Sequence, residues 1–91
     1  MPRAIADPEE IRNFARFLLQ NTEKLRAAKA EVASGFNNLH DHWRDEKYAR
    51  FREVFTTTMN RLEPFLRRSE EYVRYLNRKA EKLEEYLRHR Y

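Results

Sequence analysis

The side chains best suited to chemistry lie together in the middle of the chain: His40, Asp41, His42 and Asp45. Imidazole and carboxylate groups hold metal ions and carry protons, provided that several of them converge on one point. On a helix, groups share a face at spacings of three or four, and His40 and His42 are only two apart. A turn can bring them together, yet no third ligand is at hand unless a second chain supplies one. A polar turn, not a metal centre, is therefore expected. Covalent catalysis has less to work with: there is no cysteine, and neither Ser34 nor Ser69 sits in a nucleophile elbow or beside a histidine in sequence. Gly35 is the only glycine, so no glycine-rich loop can cradle a phosphate. The expectation is a non-enzymatic chain with no cofactor.

Two long helical patterns flank this stretch. Asp7-Pro8-Glu9-Glu10 is a helix start, because Asp7 can accept from free N–H groups, Pro8 suits the first position and Glu10 completes a capping-box spacing. From there Ile11, Leu18, Leu25, Val32 and Leu39 recur every seven residues, with Phe14 and Ala28 three residues after the first and third. Asn21 and Gly35 fall at intervening positions of this seam. A buried Asn fixes register, and a helix-interior Gly marks close backbone approach. Phe14, Ala15, Phe17, Leu18 and Leu19 spread round more of the helix than one neighbour can cover.

The second helix is expected to start at Asp45, again a capping residue. Tyr48, Phe55, Leu62, Ser69, Leu76 and Leu83 step by seven along it, accompanied by Phe51, Phe65, Tyr72 and Tyr86 and by Met59, Leu66, Val73, Ala80 and Leu87. Pro64 interrupts this broad stripe by removing an N–H and crowding the carbonyl of Asn60. A kink is favoured over a break into two helices, since the heptad phase continues through Leu76 and Leu83 without slip.

The predicted architecture is thus all-α: a single domain, 1–91, with one helix over about 7–43 and another over about 45–90. Folded back at Arg44, residues whose numbers sum to about 87 lie opposite one another. Val32 then meets Phe55, Leu25 meets Leu62 and Ile11 meets Leu76, with Gly35 packed tightly beside Phe51 and Phe55. The stretch from Ala80 to Tyr91 is left without support inside the hairpin.

Composition restricts the partners. Ninety-one residues bury little apolar surface as an extended hairpin. A second chain is expected to complete the core. The net charge of +4 is uneven: residues 7–42 carry five basic and six acidic side chains, residues 43–91 thirteen and nine, and Arg3 supplies the remainder. Signs alternate along the helices, and Glu46/Arg50, Glu63/Arg67, Glu70/Arg74 and Glu84/Arg88 are i, i+4 pairs in the favourable orientation. This dilution argues against nucleic acid and membrane as partners. No apolar run approaches the roughly 18 residues of a membrane span, and residues 1–8 have no signal-peptide core. A cytoplasmic location is expected, with any export proceeding without a cleavable signal peptide.

The centre of the chain reads Leu39-x3-Trp43-x-Asp45-x2-Tyr48-x2-Phe51. It resembles the Trp-X-Gly family of small helical-hairpin proteins of type VII secretion, which share a Leu-x3-Trp-x-Gly elbow followed by an aromatic residue. The resemblance extends to length, a midpoint Trp and a helix on either side. Asp45 stands in place of the family's Gly, a change that a turn accommodates because Asp is the better helix cap. The family's C-terminal Tyr-x3-Asp/Glu export signal is missing: Tyr72, Tyr75 and Tyr86 are followed four residues later by Leu76, Lys79 and Arg90. The resemblance implies an antiparallel hairpin that pairs with itself or a related hairpin into a four-helix bundle, acting as an adaptor, chaperone or substrate of a secretion system. It also gives Trp43 two roles, as a plug at the open end and as a feature that a secretion component could read.

The interface residues expected for such pairing are Phe14, Phe17, Leu18, Leu19, Phe55, Met59, Leu66 and Val73, the side chains beyond the width of a single seam. The rival is a basic helical module for an anionic surface, resting on Arg67, Arg68, Arg74, Arg78, Lys79 and Lys82.

Overall fold

A computed structural model describes residues 6–89. Expectations that involve Arg3, Arg90 or Tyr91, and the helix end at position 90, lie outside the described residues. Two helices account for nearly all of the rest: α1, Pro8–Leu39, and α2, Glu46–Arg88, with no strand among the described residues. They fold back on each other as an antiparallel hairpin measuring 71 × 20 × 18 Å.

Both starts follow from their caps. Asp7 accepts a hydrogen bond from the Glu9 backbone N–H at 3.0 Å, with Pro8 in the first turn, and Asp45 accepts from the Tyr48 N–H at 2.9 Å. Each carboxylate occupies a helix N-terminus, where unpaired N–H groups and the helix dipole favour negative charge. α1 ends at Leu39, four residues before the expected end, because residues 40–42 already form a turn with Asp41 and His42 donating to the carbonyls of Asn38 and Leu39. α2 runs unbroken through Pro64. The break into two helices does not occur, since one absent N–H in 43 residues of otherwise continuous ladder is a local loss.

The seam differs from the expected one. Its buried positions on α1 are Ala15 and Thr22, continued by the half-buried Lys29 and Phe36, a heptad four residues out of step with Ile11, Leu18, Leu25 and Val32. On α2 the buried line is Tyr48, Leu66, Ser69, Val73 and Ala80. Small residues let the helices approach closely, and the buried Thr22 hydroxyl is satisfied by donating to the Leu18 carbonyl at 2.8 Å. Leu25 and Val32, expected in the centre, stay 50% and 47% exposed. Asn21 donates to the Phe17 carbonyl of its own helix at 2.8 Å, so it does not tie the two helices in register.

Register is displaced too. Phe36 lies closest to Phe55, one turn beyond the Phe51 that the expected register placed there. Arg26 reaches Glu63 and Glu70, and Arg12 reaches Glu84. α1 therefore supports α2 farther toward its C-terminus than expected. Ala80 is completely buried and Glu84 is clasped, which corrects the expectation that the stretch from Ala80 onward is left without support.

Candidate interaction face and elbow

Phe36 organises the elbow. Its ring stacks on Phe55 with centroids 4.3 Å apart, and lies 5.8 Å from both Tyr48 and Phe51. Trp43 covers this cluster from the turn, 6.0 Å from Phe51 and edge-on to Tyr48 at 5.5 Å. Trp43 is half-buried and Tyr48 buried, so the indole closes the turn end of the hairpin over the aromatic stack. Leu39, Trp43, Asp45, Tyr48 and Phe51 thus meet at one end of the molecule, with Leu39 half-buried and Asp45 acting through its cap. Phe36 was missed by heptad counting because it is out of phase with Leu18, Leu25 and Val32. Its position four residues after Val32 and three before Leu39 was the available signal. Gly35 is not packed tightly: a Cβ built there meets nothing within 4 Å.

The polar side chains of the turn serve its closure. The Arg44 Nε–H donates to the His40 carbonyl at 3.0 Å, one of those left free at the end of α1, and the His40 ring lies 5.4 Å from Tyr48. Asp41 and His42 point to solvent, and among the described residues no three His, Cys, Asp or Glu side chains come together as a metal site. Ser34 is exposed, while Ser69 is buried in the seam roughly 35 Å along α2 from the elbow histidines.

The two long flanks of the hairpin are chemically opposite. One carries ion pairs between the helices: Arg12 with Glu84 at 2.6 Å, Arg26 with Glu63 at 3.0 Å and Glu70 at 3.2 Å, and Lys29 with Glu63 at 3.0 Å. Glu63, Glu70 and Glu84 were expected to pair within α2. They cross to α1 instead, and only Glu46–Arg50 keeps the expected i, i+4 form at 3.0 Å. Hydrogen bonds from Lys29 and then Arg26 hold the Glu63 carboxyl below its ordinary pKa of 4.5, and that from Arg12 does the same for Glu84. These partly exposed pairs orient the helices more than they stabilise them.

The other flank is apolar. At about 100° per residue, Phe14, Leu25 and Val32 fall on the side of the α1 seam away from Arg12 and Arg26, and Leu62, Phe65 and Tyr72 fall on the side of the α2 seam away from Glu63 and Glu70. Because the helices are antiparallel, these two sides meet as one face. Toward its Phe14–Tyr72 end it holds a groove of about 460 Å³ lined by Phe14, Leu18, Phe65, Ser69, Tyr72, Tyr75 and Leu76. Phe65 is 57% exposed and Phe14 53%.

Of the eight expected interface residues, Phe14 and Leu18 line this groove, and Phe17 and Leu19 are exposed on α1. Phe55 and Met59 are half-buried nearer the elbow. Leu66 and Val73 must be withdrawn from that set: they are 2% and 7% exposed, packed in the hairpin's own seam with no surface to offer another chain. Leu25, Val32, Leu62, Phe65 and Tyr72 are the large apolar side chains left exposed beside that seam. They were visible as apolar residues but had been assigned to the interior.

A rim of positive charge borders the face along α2. Arg61, Arg68 and Lys79 lie outward of Phe65 and Tyr72, and the same angular reading puts no Asp or Glu of α2 on that rim. Every one is exposed, and among the described residues none has a carboxylate within the 4.0 Å of an ion pair. The corresponding rim of α1 is only weakly acidic, with Glu10 and Glu31 against Lys24.

No protein-family model matches the chain, and no curated protein matches it.

Proposed function

We propose that the chain is a non-enzymatic protein-interaction module whose apolar face packs on a second helical hairpin, giving an elongated four-helix bundle. The observation that carries this reading is the exposure of Phe14, Leu25, Val32, Leu62, Phe65 and Tyr72, with an apolar groove between Phe14 on α1 and Phe65 and Tyr72 on α2. The surface total agrees. The chain exposes 7861 Å², whereas a compact monomer of 11.2 kDa exposes about 5700 Å² by size scaling. The excess on one chain, about 2200 Å², is more than the roughly 800 Å² that each partner removes from water in a stable complex.

The Trp-x-Asp elbow and the hairpin shape support a place beside the Trp-X-Gly proteins, as a secretion-associated adaptor, chaperone or substrate. In that role Trp43 both closes the hairpin and presents part of its indole to a secretion component. Light scattering on the purified chain in about 0.5 M salt, where rim charges are screened, tests the pairing. Concentration-dependent dimers are expected, and a monomer at every concentration up to about 100 μM, alone and mixed with candidate partners, contradicts it.

One observation favours the rival module for anionic surfaces: Tyr75, Arg78, Lys79 and Lys82 border a shared depression on α2. No described helix is long and apolar enough to cross a membrane, so such a surface would be met from outside. Binding to duplex DNA or anionic vesicles that falls steeply with salt supports this second reading, and no binding at low salt removes it.

A further inference from the structure

We infer that the natural occupant of the apolar face is a different polypeptide, an amphipathic helical chain with Asp and Glu along the edge of its own apolar stripe. This rests on the interaction reading above and adds the charge of the partner. Charge complementarity carries it. The α2 rim presents Arg61, Arg68 and Lys79, while three acids of α2, Glu63, Glu70 and Glu84, are drawn to the opposite flank, where they hold α1, and no ion pair among the described residues reaches the rim.

A second copy of the chain answers that rim poorly. If the copy lays α2 over α2, the two basic rims coincide and repel. If it lays α1 over α2, the rim meets Glu10 and Glu31 diluted by Lys24. An acidic-edged helix meets each of the three cations with an anion while its apolar stripe fills the groove between Phe14 and Phe65. Like charges in register act as a selection against self-pairing, so the same rim that recruits the partner disfavours the homodimer.

The test uses the full chain and a variant of it as the acidic-edged probe: Arg61→Glu, Arg68→Glu and Lys79→Glu together, which keep the apolar face and replace the rim. All three side chains are exposed, and circular dichroism confirms that the helices persist. Sedimentation equilibrium of the wild type, the variant and their equimolar mixture is measured in about 20 mM and about 0.5 M salt, between which screening shortens severalfold. The inference expects the mixture to dimerise at least about tenfold more tightly than the wild type alone at low salt, with the gap closing at high salt. The neutral variant Arg61→Gln, Arg68→Gln, Lys79→Gln is expected to self-associate equally at both salts.

A wild type that dimerises at low salt as tightly as the mixture overturns the inference and makes a second copy the occupant. Binding of wild type to phosphatidylserine vesicles or duplex DNA, lost in the rim variant and with no gain in the mixture, overturns it in favour of a polyanionic surface. If wild type and mixture stay monomeric at both salts, the interaction reading itself fails.

Discussion

The rings of Phe36 and Phe55 stack face to face across the hairpin, with centroids 4.3 Å apart and planes 14° from parallel. This contact sets the register of the elbow, because Tyr48 and Phe51 gather round the same Phe36 ring and Trp43 covers them. Phe36→Ala is therefore expected to destabilise the hairpin by about 2–3 kcal/mol, below the range of about 3–5 kcal/mol for a fully buried aromatic, since Phe36 is only half-buried. Val54→Ala, at a position 65% exposed, is expected to cost less than about 0.5 kcal/mol. Urea denaturation followed by circular dichroism compares them, and equal losses contradict a stack that organises the elbow.

Fold and face are separable by mutation at adjacent positions. Leu66 is 2% exposed and Phe65 57%. Leu66→Ala is expected to cost about 2–5 kcal/mol of stability. Phe65→Ala should leave monomer stability within about 0.5 kcal/mol and weaken association by about 1.5–3 kcal/mol, roughly tenfold or more in Kd. A Phe65→Ala variant that unfolds as readily as Leu66→Ala places Phe65 in the hairpin core and removes it from the interface.

Acid should loosen the ion-paired flank. Glu63 and Glu84 have folded-state pKa values below their ordinary 4.5. A depressed carboxyl contributes stability that is present above the unfolded pKa and is lost as pH falls through the folded value. Tm is therefore expected to hold between pH 7 and about 5 and to decline below about 4.5. In Glu63→Gln that decline should be shallower; an unchanged acid limb shows that the Lys29 and Arg26 contacts do not persist in solution.

Gly35 offers a stabilising change. It is helical, its φ is not positive and a Cβ there meets nothing within 4 Å. Gly35→Ala is expected to raise stability by about 0.5–1 kcal/mol through helix propensity and reduced freedom of the unfolded chain. A lower Tm in the alanine variant means that another element packs against this turn.

The helices were legible in the sequence where local chemistry decides: Asp7 and Asp45 cap their own chains, and the heptad phase through Pro64 announced a continuous α2. The choice of seam was not legible. Two stripes four residues apart run along α1, and counting large apolar side chains selects Leu25 and Val32. Packing selected Ala15 and Thr22, because small residues bring the backbones together and the register fixed by Phe36 follows from that approach. The destinations of Glu63, Glu70 and Glu84 were hidden for the same reason. Each has a suitable cation four residues on, and only the tertiary register shows that Arg12 and Arg26 stand closer. The apolar face itself was half visible, as more apolar width at Phe14 to Leu19 than one seam needs.

Sedimentation equilibrium in about 0.5 M salt, where the Arg61, Arg68 and Lys79 charges are screened, addresses the central claim that this face is built to pack on another helical chain. The wild type is expected to show concentration-dependent dimers, and Phe65→Glu to remain monomeric with the same helical content. A wild type that is monomeric up to about 100 μM both alone and mixed with the Arg61→Glu, Arg68→Glu, Lys79→Glu variant, or a Phe65→Glu variant that dimerises like the wild type, contradicts the claim.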